Sequence, residues 1–350
     1  MTIELDKRMR LGRGRNYIDG YGLRWVAGLL VCLWGALDIA SAETINVGTT
    51  KTVGFGPLFI ADARGYFAAE GLDAKLIYFT SGTPIPVGIV SGDLDYGATG
   101  TSGPLFNLGG QGAIKIIAGN PREAATFHDF AIVASSRAYD AGLTSLKDIA
   151  GHSFAVAQVG SPAHYGLALI AEKFGFDLKS VRVVQMQGIA NAVSAMAGGQ
   201  TDAGLAPVPA ITPPLQSGEV KLLAWAGDTI PWQLGMIIAG TKTADKKHDQ
   251  VERFLRAYRK GAKDYFDAFA APDGTRKDGP TAAATLAILS KYLDLPPMIL
   301  SQGLAYIDPE GRLDVNDVLH QIGWFKAQGL AKEDVDGRTI IDMRYVIPLR

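Results

Sequence analysis

The segment Thr44–Phe79, TINVGTTKTVGFGPLFIADARGYFAAEGLDAKLIYF, determines the fold class of this chain. Its first residues alternate and are rich in β-branched side chains, which predicts a strand. A polar loop over Thr49–Gly56 follows, and Pro57 suits the first turn of a helix, where the N–H it lacks would have no partner. Apolar residues at helical spacing continue to Gly71, an expected left-handed stop, and the next strand begins. This β-loop-α-β unit is typical of parallel sheets whose loops form binding sites.

Residues 1–42 have the pattern of a secretory signal peptide. Six Lys and Arg residues precede the apolar run Trp25–Leu37, and the small residues Ala40-Ser41-Ala42 follow it. The apolar run is shorter than the roughly 20 residues of a membrane-spanning helix, although an uncleaved anchor stays an alternative. We expect cleavage after Ala42 and a periplasmic mature protein. A start at Met9 and lipidation of Cys32 stay open.

Composition excludes several classes of function for the mature chain. Residues 1–42 hold six of the 34 Lys and Arg and four of the 35 Asp and Glu, so the remainder carries a net charge of about −3. A nucleic-acid-binding protein normally has an excess of basic residues, and this net charge is slightly negative. Cys32 is the only cysteine, so the mature chain has neither disulfides nor thiol chemistry. With 47% hydrophobic residues the chain is expected to be globular.

Two similar sequence motifs lie about one hundred residues apart. Ser91–Ala98 reads SGDLDYGA and Gly198–Leu205 reads GGQTDAGL. Each ends a predicted helix with glycine and enters a short strand of small residues, which allow close approach of the backbone. The echo predicts two similar α/β lobes, although coincidence between glycine-rich turns is the alternative. From Asp249 onward the apolar pattern becomes helical, with Asp249 and Glu252 as a predicted capping pair.

Four motifs carry a resemblance to a known family over residues 44–240. They are, in order, Gly65–Leu72 (GYFAAEGL), Gly92–Asp95 (GDLD), Leu146–Gly151 (LKDIAG) and Gly199–Ala203 (GQTDA). The ordered set resembles the periplasmic substrate-binding proteins of ABC importers. The similar group serves nitrate, sulfonates, taurine and thiamine precursors (NMT1/THI5-like and SsuA-like proteins).

The resemblance implies an α/β fold of the type II periplasmic-binding-protein kind. Two Rossmann-like lobes would be joined by two crossing strands, with helices at the C-terminus. The expected division is a signal peptide (1–42), lobe 1 (43–130 plus 236–350), lobe 2 (137–230) and hinge strands (130–136 and 233–240). The family further implies a monomer without cofactor or metal. Its partners would be a small solute and a membrane ABC permease with its ATPase, and no nucleic acid.

The ligand is expected at strand C-termini, near helix N-termini whose N–H groups and positive dipole ends suit an anion such as a sulfonate or carboxylate. The candidate ligand-binding residues are Thr50, Lys51, Phe55, Gly56, Thr83, Thr99, Thr101, Ser102, Ser161, His164, Tyr165, Gln187, Asn191 and Trp232. The alternative for the Thr and Ser residues is that they serve only as caps and turn formers.

Some candidates have particular roles and particular alternatives. Lys51 would add a positive charge and Phe55 a stacking face, while His164 and Tyr165 would donate hydrogen bonds. A histidine at a helix start is equally compatible with a solvent-facing position. Trp232 would stack on the ligand or pack in the hinge. Arg122 is a further candidate for a bidentate acid contact, or for an ion pair with a neighbour such as Glu123.

We expect no catalytic residues. The five histidines show no metal-binding spacing, and the chain has no nucleophile elbow and no phosphate-binding loop. Two alternatives stay open. Relatives of this fold make a thiamine pyrimidine or act in menaquinone synthesis, and others pass a ligand signal to a membrane sensor. The solute is not named by the sequence, because the loop Thr49–Pro57 lacks the Trp-Pro-Asn signature of the thiamine-pyrimidine binders.

Overall fold

The structure, a computed structural model, describes residues 42–349. The predicted signal peptide and Cys32 lie outside the described residues. In the part that is described, no helix combines the length and the apolar character needed to cross a membrane.

Strands and helices alternate through the first two thirds of the described chain, and helices dominate the last third. The strands are β1 (Glu43–Thr50), β2 (Leu72–Phe79), β3 (Tyr96–Gly100), β4 (Ile114–Gly119), β5 (Arg122–Glu123), β6 (Phe130–Ser135), β7 (Ser153–Val156), β8 (Arg182–Gln185), β9 (Ala203–Pro207), β10 (Val220–Trp225), β11 (Trp232–Gln233) and β12 (Gly235–Gly240). The helices are α1 (Gly56–Ala63), α2 (Tyr66–Ala69), α3 (Ile85–Ser91), α4 (Gly103–Gly110), α5 (Ser136–Asp140), α6 (Pro162–Phe174), α7 (Ile189–Ala197), α8 (Val208–Ser217), α9 (Ala226–Thr229), α10 (Thr241–Lys246), α11 (His248–Phe269), α12 (Ala282–Leu293), α13 (Pro297–Leu300), α14 (Val315–Ala327) and α15 (Gly337–Ile340).

Two five-stranded sheets form the framework. The first has the order β2-β1-β3-β12-β4, and the second has the order β10-β6-β9-β7-β8. In the first sheet β1 is parallel to β2 and β3, whereas β12 is antiparallel to β3 and β4. In the second sheet β7 is parallel to β8 and β9, whereas β6 is antiparallel to β9 and β10. Each sheet therefore holds one antiparallel strand beside a parallel core, and β5 and β11 pair separately.

The two similar motifs, Ser91–Ala98 and Gly198–Leu205, occupy equivalent places in the two sheets. β3 lies between β1 and the antiparallel β12, and β9 lies between β7 and the antiparallel β6. The aspartate that precedes each strand makes the same contact. Asp95 accepts a hydrogen bond from the backbone N–H of Asn46 in β1 (2.9 Å), and Asp202 accepts one from Ser153 in β7 (2.9 Å). The repeated Asp thus fixes the neighbouring parallel strand in both sheets.

The segment that defines the fold class has the predicted order, with two differences. β1 continues to Thr50, so the polar loop is shorter than expected. The single helix predicted after Pro57 is divided into α1 and α2, because Gly65 adopts a left-handed φ of 69° between them. Gly71 ends the unit with a φ of 70°, as predicted.

The long helix α11 packs the C-terminal region against the first sheet. Its buried face includes Phe254, which stacks on Tyr96 of β3 with ring centroids 4.0 Å apart. The capping pair predicted at Asp249 and Glu252 is wrong, because α11 begins at His248 without a side-chain cap. Asp249 instead accepts a hydrogen bond from Arg253 (2.8 Å).

Helix α14 fastens the C-terminal region to the short strands β5 and β11. Asp317 accepts a hydrogen bond from the backbone N–H of Gln233 (2.7 Å), and Gln321 donates to the carbonyl of the same residue (2.8 Å). Arg122 pairs with Asp314 at 3.0 Å. These bonds place α14 beside the segments that connect the two sheets.

Candidate functional site

A cavity of about 110 Å³ lies where the two sheets face each other. The first sheet contributes Thr50 and Gly100 from the ends of β1 and β3. The second contributes Pro207 from the end of β9, and Ala157, which follows β7. The carboxyl ends of parallel strands are where ligands bind in open α/β sheets. The cavity therefore occupies the predicted place and is shared by both sheets.

Two buried hydroxyl groups line this cavity beside helix N-termini. Thr101 precedes α4 and Ser161 precedes α6, and their side chains are 1% and 7% exposed. Neither hydroxyl has a hydrogen-bond partner within the described chain. A buried hydroxyl without a partner is costly, and the positive end of a helix attracts an anion. Thr101 and Ser161 therefore form a place suited to an acceptor oxygen of a ligand.

The walls of the cavity are mostly apolar. Phe55, Phe130, Leu205 and Leu234 line it together with three prolines, Pro121, Pro162 and Pro207, and with small residues such as Ala163. Gln158 and the hydroxyls of Thr50, Thr52, Ser81 and Thr83 add neutral polar atoms. Such a lining is typical of a site for a small organic molecule with an apolar body and few polar groups.

Asp129 is the only ionisable residue among those that line the cavity within residues 42–349. It is 3% exposed, and burial raises its pKa to about 7. Glu123 lies behind it and is fully buried. Burial is the main cause that raises the pKa of Glu123 well above its usual range, and the nearby Asp129 carboxyl raises it further. Because Lys, Arg and His are absent from this lining, neutral donors and helix N-termini would have to hold an anion here.

The structure brings five of the predicted residues to the cavity. Thr50, Phe55, Thr83, Thr101 and Ser161 all line it. They come from the end of β1 and the loop after it, from the loop that follows β2, and from the residues that precede α4 and α6. At the start of α7, Ile189 and Ala192 line the cavity instead of the predicted Gln187 and Asn191.

Lys51 lies away from the cavity, which corrects the role predicted for its charge. Its ammonium group pairs with Asp294 at 2.5 Å and lies 5.2 Å from the ring centre of Tyr78. The Lys51 side chain is 44% exposed. Lys51 follows the last residue of β1, and it points toward the α12 end of the molecule rather than toward the second sheet.

Three more predicted residues adjoin the cavity without lining it, because each serves the local structure. Gly56 is packed so that a Cβ atom would lie 3.0 Å from Tyr265. The Thr99 hydroxyl donates to the carbonyl of Gly82 (3.0 Å). Ser102 caps α4 by accepting a hydrogen bond from the N–H of Leu105 (3.3 Å).

His164 and Tyr165 contact α14 rather than the cavity. The Nδ1 atom of His164 accepts a hydrogen bond from the N–H of Gly160 (3.1 Å), and the ring lies edge-on to Trp324. Burial lowers the pKa of His164 to about 4, so it is neutral at pH 7 and is not a cationic donor. The Tyr165 hydroxyl bonds to Nδ1 of His320 (2.8 Å). Both predictions are corrected by these contacts.

The last predicted residues also point elsewhere. Gln187 is exposed and adopts a left-handed φ of 60°, and Asn191 is exposed and donates to the Met186 carbonyl (3.0 Å). Trp232 is 1% exposed and packs in the core of the second sheet, which agrees with the alternative of hinge packing. The guanidinium group of Arg122 forms an ion pair with Asp314.

Asp129, Phe130 and Gln158 line the cavity but were not predicted. One signal in the sequence pointed to the first two, since Asp129 directly precedes the strand that was expected to cross between lobes. Gln158 lies in the loop between β7 and α6, three residues before the predicted Ser161.

A second hollow of about 540 Å³ is lined by residues of α8, by Trp225 at the end of β10 and by Ser301, Gln302 and Leu304, which follow α13. His128 stacks on Trp225 there, with ring centroids 4.4 Å apart, and also contacts Asp228 (3.2 Å). Arg276 lines it but is paired with Asp278. The side chains of Thr212 and Ser301, which also line it, bond to backbone carbonyls, in contrast to the hydroxyls of Thr101 and Ser161. Across residues 42–349 no group of three His, Cys, Asp or Glu side chains is arranged to hold a metal.

The sequence profile described as "NMT1/THI5 like" matches residues 52–273. The chain belongs to the NMT1/THI5-like family. The matched range includes strands β2 to β12, and so every strand of both sheets except β1. A curated relative, the "Putative aliphatic sulfonates-binding protein" of Bacillus subtilis, is 26% identical over 230 residues. That match covers 64% of this chain and 65% of the relative.

Solved structures show the fold of this NMT1/THI5-like protein. The alkanesulfonate-binding protein SsuA of Xanthomonas axonopodis pv. citri, bound to MOPS, matches with a TM-score of 0.68 at 20% identity, over 86% of this chain and 98% of that one. The periplasmic aliphatic sulphonate binding protein SsuA of Escherichia coli matches with a TM-score of 0.68 at 18% identity, over 87% and 98%. The fold is the two-lobed α/β fold of type II periplasmic binding proteins.

Proposed function

We propose that this protein is an exported solute-binding protein that captures a small organic solute between its two lobes and delivers it to an ABC permease. One observation carries the proposal. The cavity shared by the two sheets has apolar walls and two buried hydroxyls, Thr101 and Ser161, that have no partner within residues 42–349. Such a site gains from a ligand that supplies acceptor oxygens and fills the apolar space.

The polar end of the solute is proposed to be anionic, a sulfonate or a carboxylate. Helices α4 and α6 present their N-termini beside Thr101 and Ser161, and a helix N-terminus favours negative charge. A sulfonate needs donors on several sides, which two hydroxyls and backbone N–H groups provide without a basic side chain. The names of the similar proteins, which bind sulfonates, support this choice.

Closure of the lobes is the proposed mechanism. Lobe 1 would comprise residues 43–130 and 236–350, lobe 2 residues 137–230, with hinge strands 130–136 and 233–240. Because residues of both sheets line the cavity, the ligand makes its full set of contacts only when the sheets approach each other. Binding would shift the population toward that closed state, which a permease can distinguish from the open one. The proposed location is the periplasm, and the proposed active form is a monomer.

We propose that the ligand is bound without chemical change. Among the cavity-lining residues the hydroxyls have no adjacent histidine or lysine that would act as a base, and His164 is turned toward Gly160 and Trp324. Nucleophilic catalysis needs such a base within hydrogen-bond reach. A binding role needs only the donors and the walls.

Native mass spectrometry of mature protein from the periplasm, combined with a thermal-shift panel, tests the proposal. The panel holds alkyl and aryl sulfonates, the matching carboxylates, nitrate and pyrimidines. A ligand at about 100 times its Kd stabilises the folded state by roughly 2.7 kcal/mol, which such a scan detects. Stabilisation by a sulfonate or carboxylate is the expected result. No response to any member, together with a product formed from pyridoxal phosphate or another added metabolite, would replace the proposal by an enzyme.

A further inference from the structure

Asp129 and Glu123 form a buried pair of carboxyl groups at one side of the cavity. Asp129 lines the cavity and is 3% exposed, whereas Glu123 is sealed behind it at 0% exposure. In residues 42–349 no ion pair joins either carboxyl to a basic side chain, and neither Glu123 oxygen has a partner with hydrogen-bond geometry. Burying an ionised carboxyl without a partner destabilises the folded state. Two such carboxyls side by side are therefore unusual unless a ligand or a bound proton neutralises one of them.

The groups that face this pair do not neutralise it. Tyr265 of α11 lies near Asp129, and its own buried hydroxyl is without a partner in the described chain. Asp228 of α9 adds a further negative charge near Glu123 and is itself paired with His128. The positive charge of Arg276 acts on Tyr265, but Arg276 is bonded to Asp278. The backbone N–H groups of Phe130 and Gly227 offset the burial of Glu123 only in part.

The free side of Asp129 faces the cavity. A Cβ atom on Gly54 would lie 3.4 Å from Oδ2 of Asp129 and 2.9 Å from Pro121, so the carboxyl lies beside Gly54 in the loop after β1, with Pro121 nearby. Phe130, the next residue, lines the same wall. A cation placed there would meet a carboxylate and an aromatic ring, both of which attract it.

The cavity therefore has two polar regions of opposite preference. The hydroxyls of Thr101 and Ser161 at helix N-termini favour an anionic group, and Asp129 favours a positively charged hydrogen-bond donor. Most of the remaining residues that line the cavity are apolar. We propose that the solute is zwitterionic, with its anionic group at Thr101 and Ser161 and a protonated nitrogen bound by Asp129. This inference rests on the proposed function and names the substrate class of the same site.

Proton exchange follows from this arrangement. Glu123 keeps its proton, because two adjacent buried carboxyls do not both ionise. Burial raises the pKa of Asp129 to about 7, so near neutral pH a part of the molecules carries a proton there. An ammonium group bound to Asp129 favours the ionised carboxylate, and that proton is released to solvent. Affinity for the ammonium-bearing solute should rise as the pH rises from 6 to 8, since a larger fraction of Asp129 is already ionised.

Calorimetry with pairs of ligands of equal shape tests the inference. One pair is 3-aminopropanesulfonate and butanesulfonate, and the other is 4-(aminomethyl)benzoate and 4-ethylbenzoate. In the native protein we expect the amine of at least one pair to bind roughly ten-fold more tightly, or better, than its partner. Titration in buffers of different ionisation enthalpy should show proton release with the amine and none with the partner.

Two variants complete the test. Asp129→Asn keeps the shape of the side chain and should abolish both the preference for the amine and the release of the proton. Asp308→Asn removes another buried carboxyl, 3% exposed and outside the cavity, and should leave the preference unchanged. Equal or tighter binding of the partner that lacks the amine by the native protein would overturn the inference and leave the proposed function standing. Absence of binding by all four compounds would overturn the inference, and the thermal-shift panel then decides the proposed function separately. The native protein alone decides between these outcomes, so the result does not depend on the folding of a variant.

Discussion

Gly100 and Pro162 touch across the gap between the two sheets. A Cβ atom on Gly100 would lie 2.6 Å from Cγ of Pro162 and 3.3 Å from the carbonyl oxygen of Leu234. Gly100 is the last residue of β3, and Pro162 is the first of α6. The two unpartnered hydroxyls of Thr101 and Ser161 immediately adjoin this contact. β3 can approach the start of α6 this closely because residue 100 has no side chain.

Gly100→Ala is therefore expected to weaken ligand binding at least about ten-fold. The added methyl group needs Pro162 or the Leu234 backbone to move, and overpacking of this kind costs roughly 1–3 kcal/mol. Gly323→Ala is the matched control, because nothing lies within 4 Å of its added Cβ atom and it is inside helix α14. Calorimetry should give the native affinity for the control. Equal affinity in both variants would show that the contact does not govern binding.

Thr101→Val is expected to separate stability from binding. It removes a buried hydroxyl that has no partner in the described chain, so the free energy of unfolding should stay the same or rise. Affinity for an anionic ligand should fall by about 1.5–3 kcal/mol, the scale of a hydrogen bond to a charged group. Chemical denaturation and calorimetry on one preparation measure both quantities.

Thr285→Val is the control for that pair of measurements. Thr285 is 0% exposed in α12, lies outside the cavity, and also has a hydroxyl without a partner among the described residues. Its replacement should affect stability in the same direction and leave affinity unchanged. A loss of affinity in Thr285→Val equal to that in Thr101→Val would remove Thr101 from the proposed binding site.

Asp129→Asn is expected to stabilise the protein more at pH 8 than at pH 5. The folded-state pKa of Asp129, about 7, lies above its ordinary value of 3.8, so the folded state binds the proton more tightly than the unfolded state. The native protein therefore loses stability as the pH rises from 3.8 to about 7. The amide side chain of the variant does not titrate, so the variant does not lose this stability. The difference in free energy of unfolding between variant and native protein should grow by roughly 2–3 kcal/mol from pH 5 to pH 8. A difference that is constant with pH would contradict the raised pKa.

Lys51→Ala should leave ligand affinity within about two-fold of the native value. The Lys51–Asp294 pair is exposed, and exposed ion pairs contribute about 0–1 kcal/mol to stability. Asp294→Ala removes the other partner and should have an equally small effect. Calorimetry with the strongest ligand of the panel checks both variants. A ten-fold loss in Lys51→Ala alone would mean that the loop after β1 turns its lysine into the cavity on binding.

The sequence predicted the elements well because their signals are local. Alternation in β1, the proline at the start of α1 and the left-handed Gly71 depend on a few adjacent residues. The echo of Ser91–Ala98 in Gly198–Leu205 was informative for the same reason. It records a repeated contact, the bond from an aspartate to the start of a parallel strand.

The site was predicted less well because side-chain direction depends on distant partners. Lys51 is drawn toward Asp294, which is 243 residues away in the sequence. His164 and Tyr165 lie on the correct helix, but contacts with Trp324 and His320 occupy them. Asp129 was missed because an acidic residue in a sequence is expected at the surface, and only the packing of two sheets buries it.

The position of β12 between β3 and β4 has a consequence for the order of folding. All strands of the second sheet are encoded between β4 and β12, so that sheet is continuous in the sequence while the first is interrupted. As the chain emerges from the ribosome or from a translocation channel, β3 and β4 cannot pair with β12 until all five strands of the second sheet have emerged. Contacts between residues so far apart form slowly. The second sheet can therefore assemble first, and the first sheet closes around it last.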